Sequence, residues 1–285
     1  MGKKFHILSF LFRLAAGLLL LAVLLCAAGV GAAAARPLTV LMYHHIVADD
    51  GPVNAMTVTA RRFEADMRWL KEAGYTTVLP RELAAGLPLP EKAVLVTFDD
   101  GYASNYQYAF PVLQSLNMKA AIAVVGRLVD ADDPLYLTWD MCREMDRSGL
   151  VEIGSHSYDL HNLDADRRGL FVQGGPNGIQ RLENETEDAY HQRVDADLLH
   201  SIQDIQDHLD RPVTFLAYPF GVTEPWADSF LRAHFALTLT TREDRCDPAD
   251  GLYDLPRLAV TMDRSARDCF SLKTNILLFI KEFKP

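Results

Sequence analysis

Two adjacent carboxylates, Asp99 and Asp100, close an apolar run in AVLVTFDDG, residues 93–101. Strands disfavour Asp, and neighbouring carboxylates repel each other. Asp-Asp-Gly is also common turn chemistry, and ADDGP at 48–52 shows that use in a polar, Pro-flanked stretch. The copy at 99–101 differs because it ends a β-type run, which points to a site. Other apolar runs end in the same manner. LTVLMY leads into His44-His45, VEIGS into His156 with His161 five residues on, and VTFLAY ends at Tyr218 before Pro219-Phe220-Gly221. Two imidazoles with one or two carboxylates make a ligand set for a divalent metal of the zinc type, though cobalt, nickel and iron also fit. Three protein ligands leave a position for water, whose pKa the metal lowers toward ~7. One Asp then holds the metal while its neighbour takes the proton, and the cation relieves their repulsion.

Convergence of these residues requires elements that bring strand ends together. Candidate strands are residues 38–43, 75–79, 93–98, 120–125, 151–155, 213–218, 235–240 and 255–260. Helical patterns lie between several of them. Thr59 is placed to N-cap ARRFEADMRWLKEAG, Thr138 to N-cap WDMCREMDRSG, and residues 195–209 have helical apolar spacing. Strands alternating with helices predict an α/β fold with a mainly parallel sheet. With seven or eight strands the expected architecture is a distorted (β/α) barrel, whose site lies at the C-terminal strand ends. Residues 164–194 are polar, contain GGPNG and read as a long surface loop beside the site. LKTNILLFIKEF reads as a closing amphipathic helix. Trp139, Trp226 and Phe220 are candidates for an aromatic binding platform, although buried aromatics usually belong to a core. His191, His200 and His208 fall in the polar stretch and on a helix face, and read as solvated.

The chain has 285 residues, 49% hydrophobic and 23% charged, with a formal net charge of −10. That acidity argues against nucleic acid and anionic lipid as partners and favours a neutral or cationic substrate. Residues 1–36 are a separate segment from the domain expected over 37–285. Lys3 and Lys4 precede an apolar stretch over 7–35, uncharged from Leu14 to Ala35 and long enough to span a bilayer as a hydrophobic helix. Two readings stand: an uncleaved membrane anchor, or a signal peptide cut among residues 31–35. Either places the domain outside the cytoplasm. Cys142, Cys246 and Cys269 are far apart and give no disulfide framework.

TFDDG, the HSYDLH pair and YPFG together resemble the polysaccharide deacetylase family, carbohydrate esterases of family 4. The resemblance covers roughly residues 38–262. It implies Asp99 as catalytic base and Asp100, His156 and His161 as metal ligands. It also implies hydrolysis of N-acetyl groups on an N-acetylglucosamine polysaccharide, with an oxyanion donor near Tyr218 and Pro219. Three departures matter: the His pair is spaced by five rather than four, Ala217 replaces the usual Arg, and no late Leu-x-His follows. With MYHHI near the start, the chain is most similar to the branch that includes poly-N-acetylglucosamine deacetylases. That branch implies His44 as the acid, with His45 pointing away. Arg257, in LPRLAV, stands where it could pair with Asp99 in place of the missing Arg. An O-acetyl xylan esterase and a non-catalytic glycan-binding barrel are the alternatives.

Overall fold

The computed structural model describes residues 38–161 and 178–281. The chain divides into two compact units, Pro37–Cys269 and a second made of Met1–Arg36 with Phe270–Pro285. The expected membrane segment, residues 7–35, lies outside the described residues. No helix among the described residues is long and apolar enough to cross a membrane. In the second unit the described helix is Leu272–Lys281; Thr274, Asn275 and Leu278 are buried, while Leu272, Ile276, Leu277 and Ile280 are exposed. The expected helix is present, but its apolar residues are divided between buried and exposed positions and do not form one buried stripe.

The strands are β1 Leu38–Tyr43, β2 His45–Val47, β3 Thr57–Thr59, β4 Thr76–Thr77, β5 Ala93–Phe98, β6 Ala120–Val124, β7 Val151–Ser155, β8 Phe215–Ala217, β9 Leu237–Leu239 and β10 Leu258–Ala259. Eight of them form one sheet in the order β10-β1-β5-β6-β7-β8-β9, with β4 also on β5. Every pairing is parallel, as in β1 with β5 and β6 with β7. Helices connect the strands and cover the outer face, giving an α/β half-barrel. Leu239 also bridges Leu255 in parallel, so β9 is hydrogen-bonded to the segment that leads into β10. The separate pair β2–β3 was not anticipated from sequence.

Strand alternation decides what faces the interior. Leu38 and Val40, Ala93 and Leu95, Ala121 and Ala123, Phe215 and Ala217, Leu237 and Leu239 belong to one buried cluster. The interior is narrow, and small residues make room for large ones. A Cβ on Gly154 would sit 2.3 Å from the Phe215 ring, so only glycine fits there. Extending the same two-residue period carries β1 to His44, β5 to Asp99 and β7 to His156, at one end of the sheet.

Thr59 and Thr138 N-cap the helices Ala60–Glu72 and Trp139–Arg147, as their positions predicted. The helix predicted over 195–209 begins earlier, running Glu187–Leu209 with Thr186 as N-cap. Residues 187–194 are therefore helix and not loop. Their polarity hid a buried stripe of Tyr190, Val194 and Leu198 at four-residue spacing. Residues 164–177 of the expected loop lie outside the described residues. Cys142, Cys246 and Cys269 are buried, and no two of them are joined in a disulfide among the described residues.

One buried carboxylate on the outer layer has a measurable consequence. Asp66 accepts from the Tyr43 hydroxyl at 3.1 Å and from the Ala266 N–H at 3.1 Å. Burial pushes its pKa up to about 6, above its unfolded value. Its folding contribution is then fully present below pH ~4 and is lost as pH rises through about 6. Asp66→Asn keeps an acceptor for Ala266 and is expected to add about 2 kcal/mol of stability at neutral pH, with little change in acid. Urea unfolding of both proteins on either side of that window measures it, and an identical gap at both pH values would refute it.

Candidate active site

Asp99 stands one residue beyond β5 on its inward face, and its N–H still donates to Tyr43 O at 3.1 Å. It is 2% exposed, and Arg257, just before β10, is 0% exposed. The guanidinium grips the carboxylate with both forks, Nη1 to Oδ1 and Nη2 to Oδ2 at 2.7 Å each. Arg257 also donates to Thr240 O at 2.7 Å and Thr97 Oγ1 at 3.2 Å. A buried charge costs little only when paired and hydrogen-bonded, and this one is both. Burial alone would raise the Asp99 pKa, but the Arg257 charge overrides it and holds the carboxyl well below the usual range.

Asp100 turns out of the strand. It takes a left-handed φ of 72°, and Gly101 follows at 74°. Neighbouring carboxylates thereby point apart, Asp99 toward Arg257 and Asp100 toward the histidines. Asp100 Oδ1 lies 3.5 Å from His156 Nε2 and 3.5 Å from His161 Nε2. That oxygen is buried and has no hydrogen-bond partner. His156 Nδ1 donates to Ala217 O at 2.7 Å, because a carbonyl can only accept. Its Nε2 lone pair is thus aimed at Asp100 and His161. The five-residue spacing in HSYDLH is spanned by a loop in which Ser157 has a φ of 72°, and the rings meet with centroids 4.8 Å apart. Phe220, itself left-handed at φ 58°, stacks on His161 at 4.3 Å.

These donors fit a divalent cation. Ligand atoms of Asp100, His156 and His161 all lie within 4.8 Å of one another. Tetrahedral bonds of about 2.0–2.1 Å require ligand separations of roughly 3.3 Å, close to the 3.5 Å contacts observed. The electrostatics agree. Burial lowers the His156 pKa, but the Asp100 hydrogen bond and the charges of Asp99 and Asp100 raise it overall. His161 is pushed down to about 4 by burial and then by His156. The carboxylates therefore favour positive charge at this place, and the His161 imidazole, at about 4, is neutral and able to ligate near neutral pH.

His44 follows β1 at the same end, with Nε2 3.9 Å from Asp99 Oδ2. Burial lowers its pKa, while Asp99 and Asp100 oppose the shift. Asn105 Nδ2 donates to His44 O at 2.9 Å, and Ser104 Oγ accepts from Ile46 N–H at 3.1 Å, so the segment after Asp-Asp-Gly pins the strand break. These polar residues stand at the start of the next helical stretch. That placement was the available sequence signal for them. His45 turns away from Asp99 and stacks on Tyr102 at 4.5 Å.

Tyr218 and Pro219 need correction as oxyanion donors. The Tyr218 N–H donates to Leu239 O at 3.0 Å in the sheet, and proline has no N–H. The Tyr218 hydroxyl donates to Asp254 at 2.9 Å, so both polar groups are committed to structure. The suggested aromatic platform divides as well. Trp139 is buried, stacked on His208 and bonded to Asp130. Trp226 lies under Arg181 and beside Tyr190. Of the three, Phe220 is the one stacked on a histidine of the site. The segment after residue 177 does reach the rim, since a Cβ on Gly178 would sit 2.8 Å from Pro219 O.

Residues 86–239 match the family described as polysaccharide deacetylase. The Bacillus subtilis protein YxkH is 30% identical over 229 residues, 79% of this chain and 71% of YxkH. The poly-beta-1,6-N-acetyl-D-glucosamine N-deacetylase of Escherichia coli is 27% identical over 249 residues, covering 80% of this chain and 37% of that protein. The chain thus spans little more than a third of that relative. Among solved structures, IcaB from Ammonifex degensii superposes with a TM-score of 0.69 at 30% identity, covering 82% of this chain and 96% of that one. The segment matched by the family runs from the turn before β5 through β9 and so contains Asp99, Asp100, His156 and His161: the chain belongs to the polysaccharide deacetylase family.

Proposed function

We propose that the chain is a divalent-metal-dependent hydrolase that removes N-acetyl groups from a β-linked N-acetylglucosamine polymer outside the cytoplasm. The observation that carries this reading is the grouping of Asp100, His156 and His161 beside a separately held carboxylate, Asp99. A cation there, zinc first and cobalt, nickel or iron otherwise, would polarise the acetyl carbonyl and acidify water. Asp99 takes the proton of the attacking water as general base, and Arg257 keeps it ionised and fixed in direction. His44 delivers a proton to the departing amine. Acetate and a free amine result. The name of the Escherichia coli relative supports poly-N-acetylglucosamine as substrate. The basic start and uncharged stretch Leu14–Ala35 support export, with the membrane as a partner if the segment is retained.

Acetate release from β-1,6-linked N-acetylglucosamine oligomers, before and after chelation and zinc return, tests the proposal. Release that is lost on chelation and restored by zinc is expected. Release from O-acetyl xylan alone would replace the amidase reading with the esterase. Tight oligomer binding without any release would favour the glycan-binding barrel.

A further inference from the structure

His161 meets Asp100 and His156 only by way of residues 157–160, a stretch that is neither helix nor strand. Such a stretch keeps one path only where its backbone groups are tied down. Two helices tie this one from opposite sides of its peptide groups. At the start of the helix Gly126–Asp130, Gly126 N–H donates to Ser157 O at 3.1 Å and Arg127 N–H to Tyr158 O at 3.0 Å. The helix Glu187–Leu209 supplies the acceptors. Tyr158 N–H donates to Asp197 Oδ1 at 2.9 Å, and Asp159 N–H donates to Asp197 Oδ2 at 2.7 Å. Ser201, one turn on and on the same face, shares a 2.7 Å hydrogen bond with Ser155 Oγ, which accepts from Ser157 N–H at 3.0 Å.

Asp197 is not among the grouped donors and takes no part in the chemistry above. Its residue type nevertheless fits one task closely. Two consecutive N–H groups need two acceptor oxygens side by side; a carboxylate has them, whereas an amide or a hydroxyl has one oxygen. A loop held in this way needs no further ordering when a cation arrives, so the ordering cost does not subtract from the affinity. Groups that orient a ligand from outside the coordination sphere act in the same sense. We infer that Asp197 is a positioning residue: its carboxylate fixes the turn at Tyr158 and Asp159 so that His161 is held toward Asp100 and His156. This rests on the metal centre proposed above.

The test is zinc affinity of the full chain, stripped of metal and titrated with zinc against a chromophoric chelator. Visible absorption of the cobalt-loaded protein reports ligand geometry independently. Asp197→Asn keeps the shape and one oxygen but turns an NH₂ toward one of the two N–H groups. It is expected to weaken zinc binding about 10–100-fold and to change the cobalt spectrum. Asp197→Ala removes both acceptors and is expected to weaken zinc binding at least as much. In a His161→Ala background, Asp197→Asn is expected to change zinc affinity by less than about twofold, because the residue it positions is gone. Wild-type affinity and spectrum in folded Asp197→Asn, whatever its melting temperature, would overturn the positioning role and leave a structural acceptor. Equal losses with and without His161 would overturn it too, since Asp197 would not act through that histidine. A wild-type chain that takes up neither zinc nor cobalt would instead overturn the metal centre. The failures are distinct, because the first two require a wild type that binds.

Discussion

Asp99→Asn is expected to lower kcat for acetate release by about 10²–10⁴-fold while zinc still binds one to one. The amide is isosteric with the carboxylate but cannot take a proton from water. It keeps one acceptor for Arg257 Nη1 and turns an NH₂ toward Nη2, which now meets a donor. Some stability is lost in consequence, so the rate is read on protein shown to be folded. Metal content separates the base from the ligands, because Asp99 is not among the three grouped donors. His156→Ala is the control that loses zinc and rate together. A variant with full zinc and a rate within about tenfold of wild type would remove Asp99 from the role of base.

Arg257→Met is expected to destabilise the fold by about 3–5 kcal/mol, since it leaves a buried carboxylate without its counter-charge. Chemical denaturation reads the loss. Arg257→Lys should recover only part of it. A lysine ammonium cannot serve both Asp99 oxygens, Thr97 Oγ1 and Thr240 O as the guanidinium does. The double variant Asp99→Asn/Arg257→Met should be more stable than Arg257→Met alone, because the stranded charge is gone. The pH–rate profile moves too. The base acts when ionised, and Arg257 is what holds its pKa down. In any Arg257 variant that folds, the acid limb of the profile is expected to shift to higher pH. An unchanged limb together with an unchanged unfolding midpoint would show that the pair is not coupled.

Much of the candidate site was legible because strand geometry is periodic. Asp99 and His156 stand where β5 and β7 end, and a parallel sheet carries such residues to one rim. Arg257 was readable from its place in a late apolar run, and the guanidinium does reach Asp99. Tyr218 misled because sequence shows that an N–H exists but not who accepts it; Leu239, in the neighbouring strand, does. The early start of the helix at Glu187 was hidden because only Tyr190 and Val194 face inward among polar neighbours. The His45–Tyr102–Tyr136 stack joins residues from three separate segments. No local spacing announces such an arrangement.

The clamp on Asp99 also sets an order of assembly. Asp100 follows β5, and His156 and His161 follow β7, all within the first 161 residues, whereas Arg257 comes 158 positions after the carboxylate it holds. A chain emerging from its N-terminus therefore acquires the histidines and their carboxylate well before Asp99 has its partner. Until residue 257 arrives and β10 zips onto β1, the interior carries an unmatched anion. Completion of the last strand and pairing of Asp99 are one event, so a chain halted short of it holds the three grouped donors and an unpaired Asp99.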